Sequence, residues 1–141
     1  MTAKEYLQQA EKLDLLIQNK LAEKRQWLEV ALGITAHLGG ERVQTSGSKS
    51  KMAEAVEKCI DVEREISALI DRLIDTKSEI VTVIELVENP TEYDVLHKRY
   101  IQKMSLLQIA ERYGKEYSWA TTTHGRALKS VQDILDKKLS Q

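Results

Sequence analysis

Hydrophobic positions near the amino terminus recur every three or four residues, the spacing of an amphipathic helix. They start at Leu7 and continue at Ala10, Leu13, Ile17, Leu21, Leu28 and Ala31. The preceding segment "TAKE" has the form of a capping box, in which Thr2 accepts a hydrogen bond from the amide of Glu5. The pattern therefore predicts a first helix from Thr2 to Gly33 or to Gly39-Gly40.

A second and longer hydrophobic pattern follows a stretch rich in Gly, Ser and Thr, Gly39 to Ser50, which predicts a loop. Eleven positions alternate steps of four and three: Met52, Val56, Cys59, Glu63, Ile66, Ile70, Leu73, Lys77, Ile80, Ile84 and Val87. Because nine of them are apolar, they predict a coiled-coil seam on a helix from about Lys51 to Glu88.

The second predicted helix carries more apolar surface than one partner helix can cover. The additional apolar positions are Ala55, Val62, Leu69, Ile74, Val81 and Val83. An antiparallel hairpin with the first helix would cover the seam, and the remaining flank predicts a homodimer through the long helices. Parallel and antiparallel arrangements of the two subunits both remain open.

The segment "NPTEYD" ends the second helix, because a residue before proline avoids the helical region. We place a domain boundary here, between a hairpin of residues 1–90 and a domain of residues 91–141. Thr91 is predicted to cap the next helix, with Asp94 three residues further on.

Three helices fit the segment beyond this boundary, which makes the predicted fold class all-α. Ser105 is predicted to cap the second of them, and Gly114 to end it, because glycine tolerates a positive φ. The third is predicted to begin near Glu116 and to run to about Leu139. Two helices joined by a glycine turn are the parts of a helix-turn-helix.

The second helix of such a motif enters the major groove of duplex DNA with its first turns. Here that recognition helix would span about residues 116–128. Its outward side chains, predicted to contact base edges, are Tyr117, Ser118, Thr121 and Thr122. The residues predicted to contact phosphates are Lys103, Ser105, Lys115, Arg126 and Lys129.

The charge distribution agrees with a polyanionic partner for the carboxyl-terminal third. Residues 94–141 contain nine basic and five acidic side chains, a net charge of +4. The rest of the chain has a net charge of −5, so the overall net charge of −1 is the sum of an acidic part and a basic part. A basic segment of this kind is suited to DNA, whereas the acidic remainder is not.

The segments "RYIQKMSLLQIAERYG" and "HGRALKSVQDIL" resemble the fourth region of bacterial sigma factors, which reads an upstream promoter element. The matching residues are Arg99-Tyr100, Ser105, Ile109-Ala110, Gly114 and Arg126-Ala127-Leu128. The whole chain, with "TAKEYL" at its front, resembles small phage-encoded sigma-like transcription regulators. The resemblance implies a DNA-binding regulator of phage or prophage origin, with host RNA polymerase as a possible further partner.

The chain departs from the sigma pattern at the positions that would read bases. Sigma recognition helices usually carry arginine or glutamate there, whereas this chain carries Tyr117, Ser118, Thr121 and Thr122. The other sigma regions have no counterpart in the sequence. We therefore expect an operator other than the sigma promoter element, and a protein that is not a complete sigma factor.

Other classes of function find little support in the sequence. The three histidines fall in three different predicted elements without ligand spacing, so no metal, cofactor or enzymatic activity is expected. The single cysteine, the absence of a signal peptide and the absence of a membrane span predict a cytoplasmic protein. The rival interpretation is a helical protein-interaction adaptor, for example one that binds RNA polymerase, with the helix-turn-helix as a scaffold.

Overall fold

The computed structural model describes the backbone of residues 1–40 and 45–140 and the side chains of residues 1–33 and 50–140. Every regular element in these residues is a helix, which confirms the predicted all-α fold class. The α-helices are α1 (Ala3–Leu7), α2 (Gln9–Gly40), α3 (Thr45–Glu85), α4 (Pro90–Leu96), α5 (Leu106–Tyr113) and α6 (Tyr117–Leu139). A π-helical turn, His97–Ile101, directly follows α4. None of the described helices is long and apolar enough to cross a membrane.

The amino-terminal cap forms as predicted, but the first helix is interrupted. The Thr2 hydroxyl accepts a hydrogen bond from the Glu5 amide, 3.2 Å away, at the start of α1. The helix then stops at Leu7 and resumes as α2 at Gln9. Gln8 keeps a right-handed backbone, with φ −80° and ψ −4°, so the interruption is confined to one residue.

The predicted loop from Gly39 to Ser50 is wrong at its carboxyl-terminal end, whereas the end of α2 at Gly40 agrees with one of the two predicted helix ends. Helix α2 continues to Gly40, and α3 already begins at Thr45. Residues 41–44, in the middle of the predicted loop, lie outside the described residues. Helix propagation adds one hydrogen bond for each residue that is fixed, and this gain offsets the low helix propensity of Gly and Ser next to a long helix.

Residues Leu13–Arg72 form one compact unit, which we call the central unit. Within it α2 and α3 pack in opposite directions. The Lys20 ammonium lies 2.6 Å from the Glu65 carboxylate, and the Lys24 ammonium lies 3.8 Å from that of Glu63. The buried side chains between the two helices are Leu13, Ile17, Ala31, Ala55, Val62 and Ile66.

Within the central unit, the buried seam of α3 differs from the predicted seam at every second seam position. Ala55 and Val62 are buried, whereas the predicted Val56 and Ile70 are 44% and 42% exposed and Glu63 is also exposed. Both registers have a period of 3.5 residues and share the positions of Cys59 and Ile66. They differ only in which of two adjacent residues is buried at every second position. On α2, Leu21 and Leu28 are likewise exposed rather than buried.

Residues Met1–Lys12 and Leu73–Gln141 form the other compact unit, which we call the terminal unit. One cluster of its buried side chains joins segments from both sides of residue 90: Ala3, Leu7, Ala10, Ile80, Val83, Ile84, Val87, Leu96, Tyr100, Ala127 and Val131. In addition, the Ala3 amide donates a hydrogen bond to Oε1 of Gln132, 2.8 Å away. The boundary predicted between residues 90 and 91 therefore does not separate two cores, because side chains from both sides of it pack together.

The cap of α4 also differs from the prediction. Oδ1 of Asn89 accepts hydrogen bonds from the amides of Thr91 and Glu92, at 2.9 and 3.1 Å, and Pro90 occupies the first turn. Thr91 is therefore inside the helix and is not its cap. Proline is favourable at this position because its fixed φ suits a helix and its missing N–H would have no helical partner there.

Candidate nucleic-acid interface

Helix α5 and the turn after it form as the sequence predicts. Oγ of Ser105 accepts from the Gln108 amide at 3.1 Å, and Oε1 of Gln108 accepts from the Ser105 amide at 2.9 Å, which completes a capping box. Gly114 ends the helix in the left-handed conformation, with φ 65°. The chain then turns through Lys115 and enters α6 at Tyr117.

One side of α6 is buried and holds the helix in place. Its buried residues are Ala120, Thr123, Ala127 and Val131. The two alanines leave room for neighbouring helices to approach closely. Trp119 is half-buried, and its ring centroid lies 4.9 Å from that of Tyr113 on α5. This aromatic contact packs α6 against α5.

A polar contact ties α5 to α4 beneath this aromatic pair. The Tyr113 hydroxyl donates a hydrogen bond to the Asp94 carboxylate, which also accepts from the Lys98 ammonium at 2.7 Å. Burial alone would raise the pKa of Asp94, but the hydrogen bonds from Lys98 and Tyr113 outweigh it and hold that pKa below its ordinary value. Burial, together with the Asp94 carboxylate, raises the pKa of Tyr113 to about 12. Asp94 thus joins two helices and has no role in capping.

The opposite side of α6 is open to solvent and carries the residues predicted to contact bases. Tyr117, Ser118 and Thr122 are exposed, and Thr121 is half-buried. Gly125, Arg126 and Lys129 continue this exposed side along the helix. We call this set of seven residues, from Tyr117 to Lys129, the α6 outer face. It combines hydroxyl groups in the first turns with two cationic side chains further along.

The three consecutive threonines have three different surroundings. The Thr121 hydroxyl donates to the backbone oxygen of Ser118 at 2.9 Å, and Thr123 is only 8% exposed on the inner side. Thr122 is exposed, and its hydroxyl makes no hydrogen bond with the described residues. Thr122 is consequently the threonine whose hydroxyl can both donate and accept towards a partner.

Two of the predicted phosphate-contacting residues meet Tyr117 at a surface cleft of about 570 Å³. The cleft lies at the start of α5 and is lined by Arg99, Lys103, Met104, Ser105, Leu106, Leu107, Gln108 and Tyr117. The Ser105 oxygen is used as an acceptor within the capping box, so its proton remains available to an anion.

Arg99 is a residue of this cleft that the sequence analysis did not assign to phosphate contact. It lies in the π-helical turn, four residues before Lys103, and both side chains reach the same cleft. Lys103 lies beyond the end of this turn with φ 60°, so a helical spacing in the sequence would not have placed the two cations together. The other predicted phosphate contacts are not part of this cleft, because Lys115 lies in the turn and Arg126 and Lys129 lie further along α6.

His124 belongs to the inner side of α6 and not to the outer face. Its Nε2 is 2.7 Å from the hydroxyl oxygen of Tyr100, and the two rings are stacked with centroids 5.6 Å apart. Burial, followed by the positive charges of Arg99 and Lys4, lowers the pKa of His124 to about 4. Burial raises the pKa of Tyr100 to about 12. Both side chains are therefore neutral at neutral pH, and the pair acts as a polar part of the core.

The neutral His124 makes the stability of the protein pH-dependent. The unfolded chain protonates this histidine near its ordinary pKa of 6.5, whereas the folded chain resists protonation until about pH 4. The stabilisation is complete above pH 6.5 and is lost as the pH falls from 6.5 to 4. Because the ring stays partly exposed, we expect a loss on the order of 1–2 kcal/mol, measurable by thermal denaturation across this range. His124→Gln should flatten that part of the profile, and an equally steep profile in the variant would contradict this prediction.

The α6 outer face and the cleft carry hydroxyl groups and cationic side chains, which can form hydrogen bonds and offset negative charge. Within the described residues, no group of three His, Cys, Asp or Glu side chains lies together as a metal ion would require. Comparisons of the chain with protein-family models, with curated proteins and with solved structures found no match.

Proposed function

We propose that this protein is a sequence-specific transcription regulator that binds duplex DNA through a helix-turn-helix formed by α5 and α6. In this proposal α6 lies in the major groove, with its residues 117–128 facing the bases. The observation that carries the proposal is the two-sided character of α6, which is buried on one side and exposes hydroxyls and cations on the other. The resemblance to phage-encoded sigma-like regulators implies a phage or prophage context.

The start of α6 has the properties that a groove-binding helix needs. Glu116 makes no side-chain cap, so the first amides of α6 have no side-chain acceptor from that residue. The helix dipole places positive potential at this end, where a DNA phosphate would approach. Ser118 and Thr122 lie one turn apart, and hydroxyls can donate to or accept from base edges, while threonine methyls can contact thymine methyls.

The cations near α6 support the assignment of phosphate contacts. Arg126 and Lys129 follow the hydroxyl-bearing turns on the α6 outer face, and Lys115 precedes them in the turn. Arg99 and Lys103 reach the cleft beside Tyr117. We assign phosphate contacts to these cations and to Ser105, and base contacts to the hydroxyl-bearing residues Tyr117, Ser118, Thr121 and Thr122.

Selection of bound sequences from a random duplex pool tests the proposal. We expect a recovered motif, with an affinity that falls steeply as the salt concentration rises because counterions are released from the phosphates. Failure to enrich any sequence would overturn sequence-specific binding. Retention of host RNA polymerase by the same protein would then favour the adaptor interpretation, in which the helix-turn-helix is a scaffold.

The different surroundings of the threonines give a matched test of base reading. Thr122→Val removes an unengaged hydroxyl and keeps the shape, so we expect a loss of about 5- to 100-fold in affinity for the selected site. Binding to unrelated duplex should change little, because its main contributions come from phosphate contacts. Thr82→Val is the control, since Thr82 is exposed on α3, has no assigned DNA contact, and its hydroxyl donates to the backbone oxygen of Ser78 at 3.0 Å. Equal losses in the two variants would contradict the assignment of Thr122.

A further inference from the structure

A small cavity in the terminal unit brings together positive charges from separate segments of the chain. It has a volume of about 70 Å³ and is lined by Ala10, Glu11, Lys77, Arg99, Tyr100 and Lys103. All six residues belong to the terminal unit, and we call the space between them the cationic cavity. Three of its side chains are cations and one is a carboxylate, so the lining has a net charge of +2.

Two of these cations, Lys77 and Arg99, are half-buried and have no carboxylate partner in the terminal unit. Neither forms an ion pair with a described residue of that unit, and the exposed Glu11 forms none either. The guanidinium carbon of Arg99 lies 5.3 Å from the ring centroid of Tyr100, which accepts no hydrogen bond from its N–H groups through a carboxylate. Because a half-buried cation is poorly solvated, an anion that enters the cavity would supply the missing partner.

The positive charge of Arg99 outweighs the negative charge of Glu11 at the wall of the cavity. Burial is the largest cause of the raised pKa of Tyr100, about 12, and of the lowered pKa of His124, about 4. The charge of Arg99 acts to lower the pKa of both groups, and its effect on Tyr100 exceeds the opposing effect of Glu11. A positive potential at this wall favours a negatively charged ligand.

The backbone brings Lys103 to the cavity in a conformation that favours glycine. Its φ is 60°, and among the described residues it is the only one other than glycine with a positive φ. It follows Gln102, the cap of the π-helical turn, and the next amide, that of Met104, donates to the Lys98 carbonyl at 2.9 Å. Glycine is the usual residue at such a helix end, because it has no Cβ to strain the left-handed backbone. Lysine therefore costs stability here, and a functional charge at the cavity accounts for that cost.

The size and the donors of the cationic cavity fit a tetrahedral oxyanion. At roughly 10–15 Å³ for each water-sized group, the cavity holds about five such groups, and a phosphate ion has five heavy atoms. A guanidinium can donate to two oxygens of one phosphate, and an ammonium acts as a compact point charge. We propose that the cationic cavity binds one phosphate group through Lys77, Arg99 and Lys103, either as the free ion or as the terminal group of a small organic phosphate.

The cationic cavity can be tested separately from the proposed DNA binding. Arg99 and Lys103 line both this cavity and the cleft beside Tyr117, whereas Lys77 and Glu11 line the cavity and not that cleft. Substitutions of Lys77 and Glu11 therefore change the cavity and leave the proposed DNA contacts in place. Because phosphate binding is measured without DNA, failure of either proposal leaves the other to be decided by its own experiment.

Titration of the full chain with inorganic phosphate at constant ionic strength, followed by NMR, tests the proposal. We expect saturable shifts of the Ala10 and Tyr100 signals, which sodium chloride alone should not produce. Lys77→Gln should weaken phosphate binding about tenfold, because a charge-assisted hydrogen bond is lost. Glu11→Gln should strengthen it about threefold, because the repelling carboxylate is removed. Lys138→Gln is the control, since Lys138 is exposed on α6 and does not line the cavity.

Lys103→Gly separates a role in binding from a role in the fold. Glycine relieves the strained backbone at this position, so the melting temperature should stay the same or rise. The affinity for phosphate should nevertheless fall about tenfold, because one cation of the site is lost. Unchanged phosphate affinity in this variant would contradict the assignment of Lys103 to the site.

A parallel titration with methyl phosphate distinguishes the two sources of the phosphate group. Binding of methyl phosphate with the affinity of inorganic phosphate would support an organic phosphate as the ligand, and binding of inorganic phosphate alone would support the free ion. The absence of saturable shifts with either compound would overturn the proposal. Equal phosphate affinities of Lys77→Gln and Lys138→Gln, with both variants folded by circular dichroism, would also overturn it.

Discussion

Replacing Arg126 by glutamate is expected to weaken binding to duplex DNA by at least about tenfold at low salt, with selected and unrelated sequences affected alike. Arg126 is exposed on the α6 outer face, one turn beyond Thr122. In the proposed complex it contacts a phosphate, so charge reversal removes one favourable contact and adds a repulsion. The slope of log affinity against log salt should fall by about one or more, which titrations at several salt concentrations would measure.

Arg64→Glu provides the matched control for this experiment. Arg64 is exposed on α3 in the central unit, and its substitution changes the net charge of the protein by the same amount. We expect less than about a threefold change in affinity, because contact with phosphates and not net charge determines the effect. Equal losses of DNA affinity in the two variants would show that Arg126 on α6 makes no phosphate contact of its own.

Replacing Leu7 by alanine is expected to destabilise the terminal unit by about 2–5 kcal/mol, the usual range for a buried leucine. Leu7 is only 1% exposed and belongs to the same cluster as Ile84 and Val131. Such a loss corresponds to a fall of roughly 10 °C in the melting temperature. The expected effect is large although Leu7 lies more than a hundred residues from α6 in the sequence, because the two segments share one core.

Leu139→Ala serves as the control for Leu7, since Leu139 is 86% exposed near the end of α6. Thermal denaturation followed by circular dichroism should show almost no change for this variant. A small effect of Leu7→Ala, comparable with that of Leu139→Ala, would mean that α1 is not part of the core. The predicted boundary at residue 90 would then describe the packing better than the terminal unit does.

The local features around α5 and α6 could be predicted because each depends on a few neighbouring residues. Ser105 with Gln108 forms a capping box, and Gly114 adopts a positive φ that other residues rarely adopt. The outward set Tyr117, Ser118 and Thr122 followed from helical period alone, and the structure leaves these residues exposed. Short-range chemistry of this kind is set by the order of residues and needs no distant partner.

The seam of α3 shows where the sequence was informative but was misinterpreted. Two registers fit the apolar repeat, and the predicted one included the charged residues Glu63 and Lys77. The observed register buries Ala55 and Val62. Within the central unit, none of the positions at which it differs from the predicted register carries a charged residue. Exclusion of buried charge was the signal that could have decided between them, because an unpaired charge is costly in a core.

The sequence by itself determined that the chain is helical, where α5 and α6 begin and end, and which residues of α6 face outward. These properties follow from periodicity, capping and the conformational preferences of single residues. Only the tertiary structure decided that α1, the end of α3 and α6 share a core, and that Arg99 joins Lys103 and Ser105 at one cleft. Such contacts depend on how apolar faces from distant segments fit together, and a periodic pattern shows that a face exists but not which face it packs against.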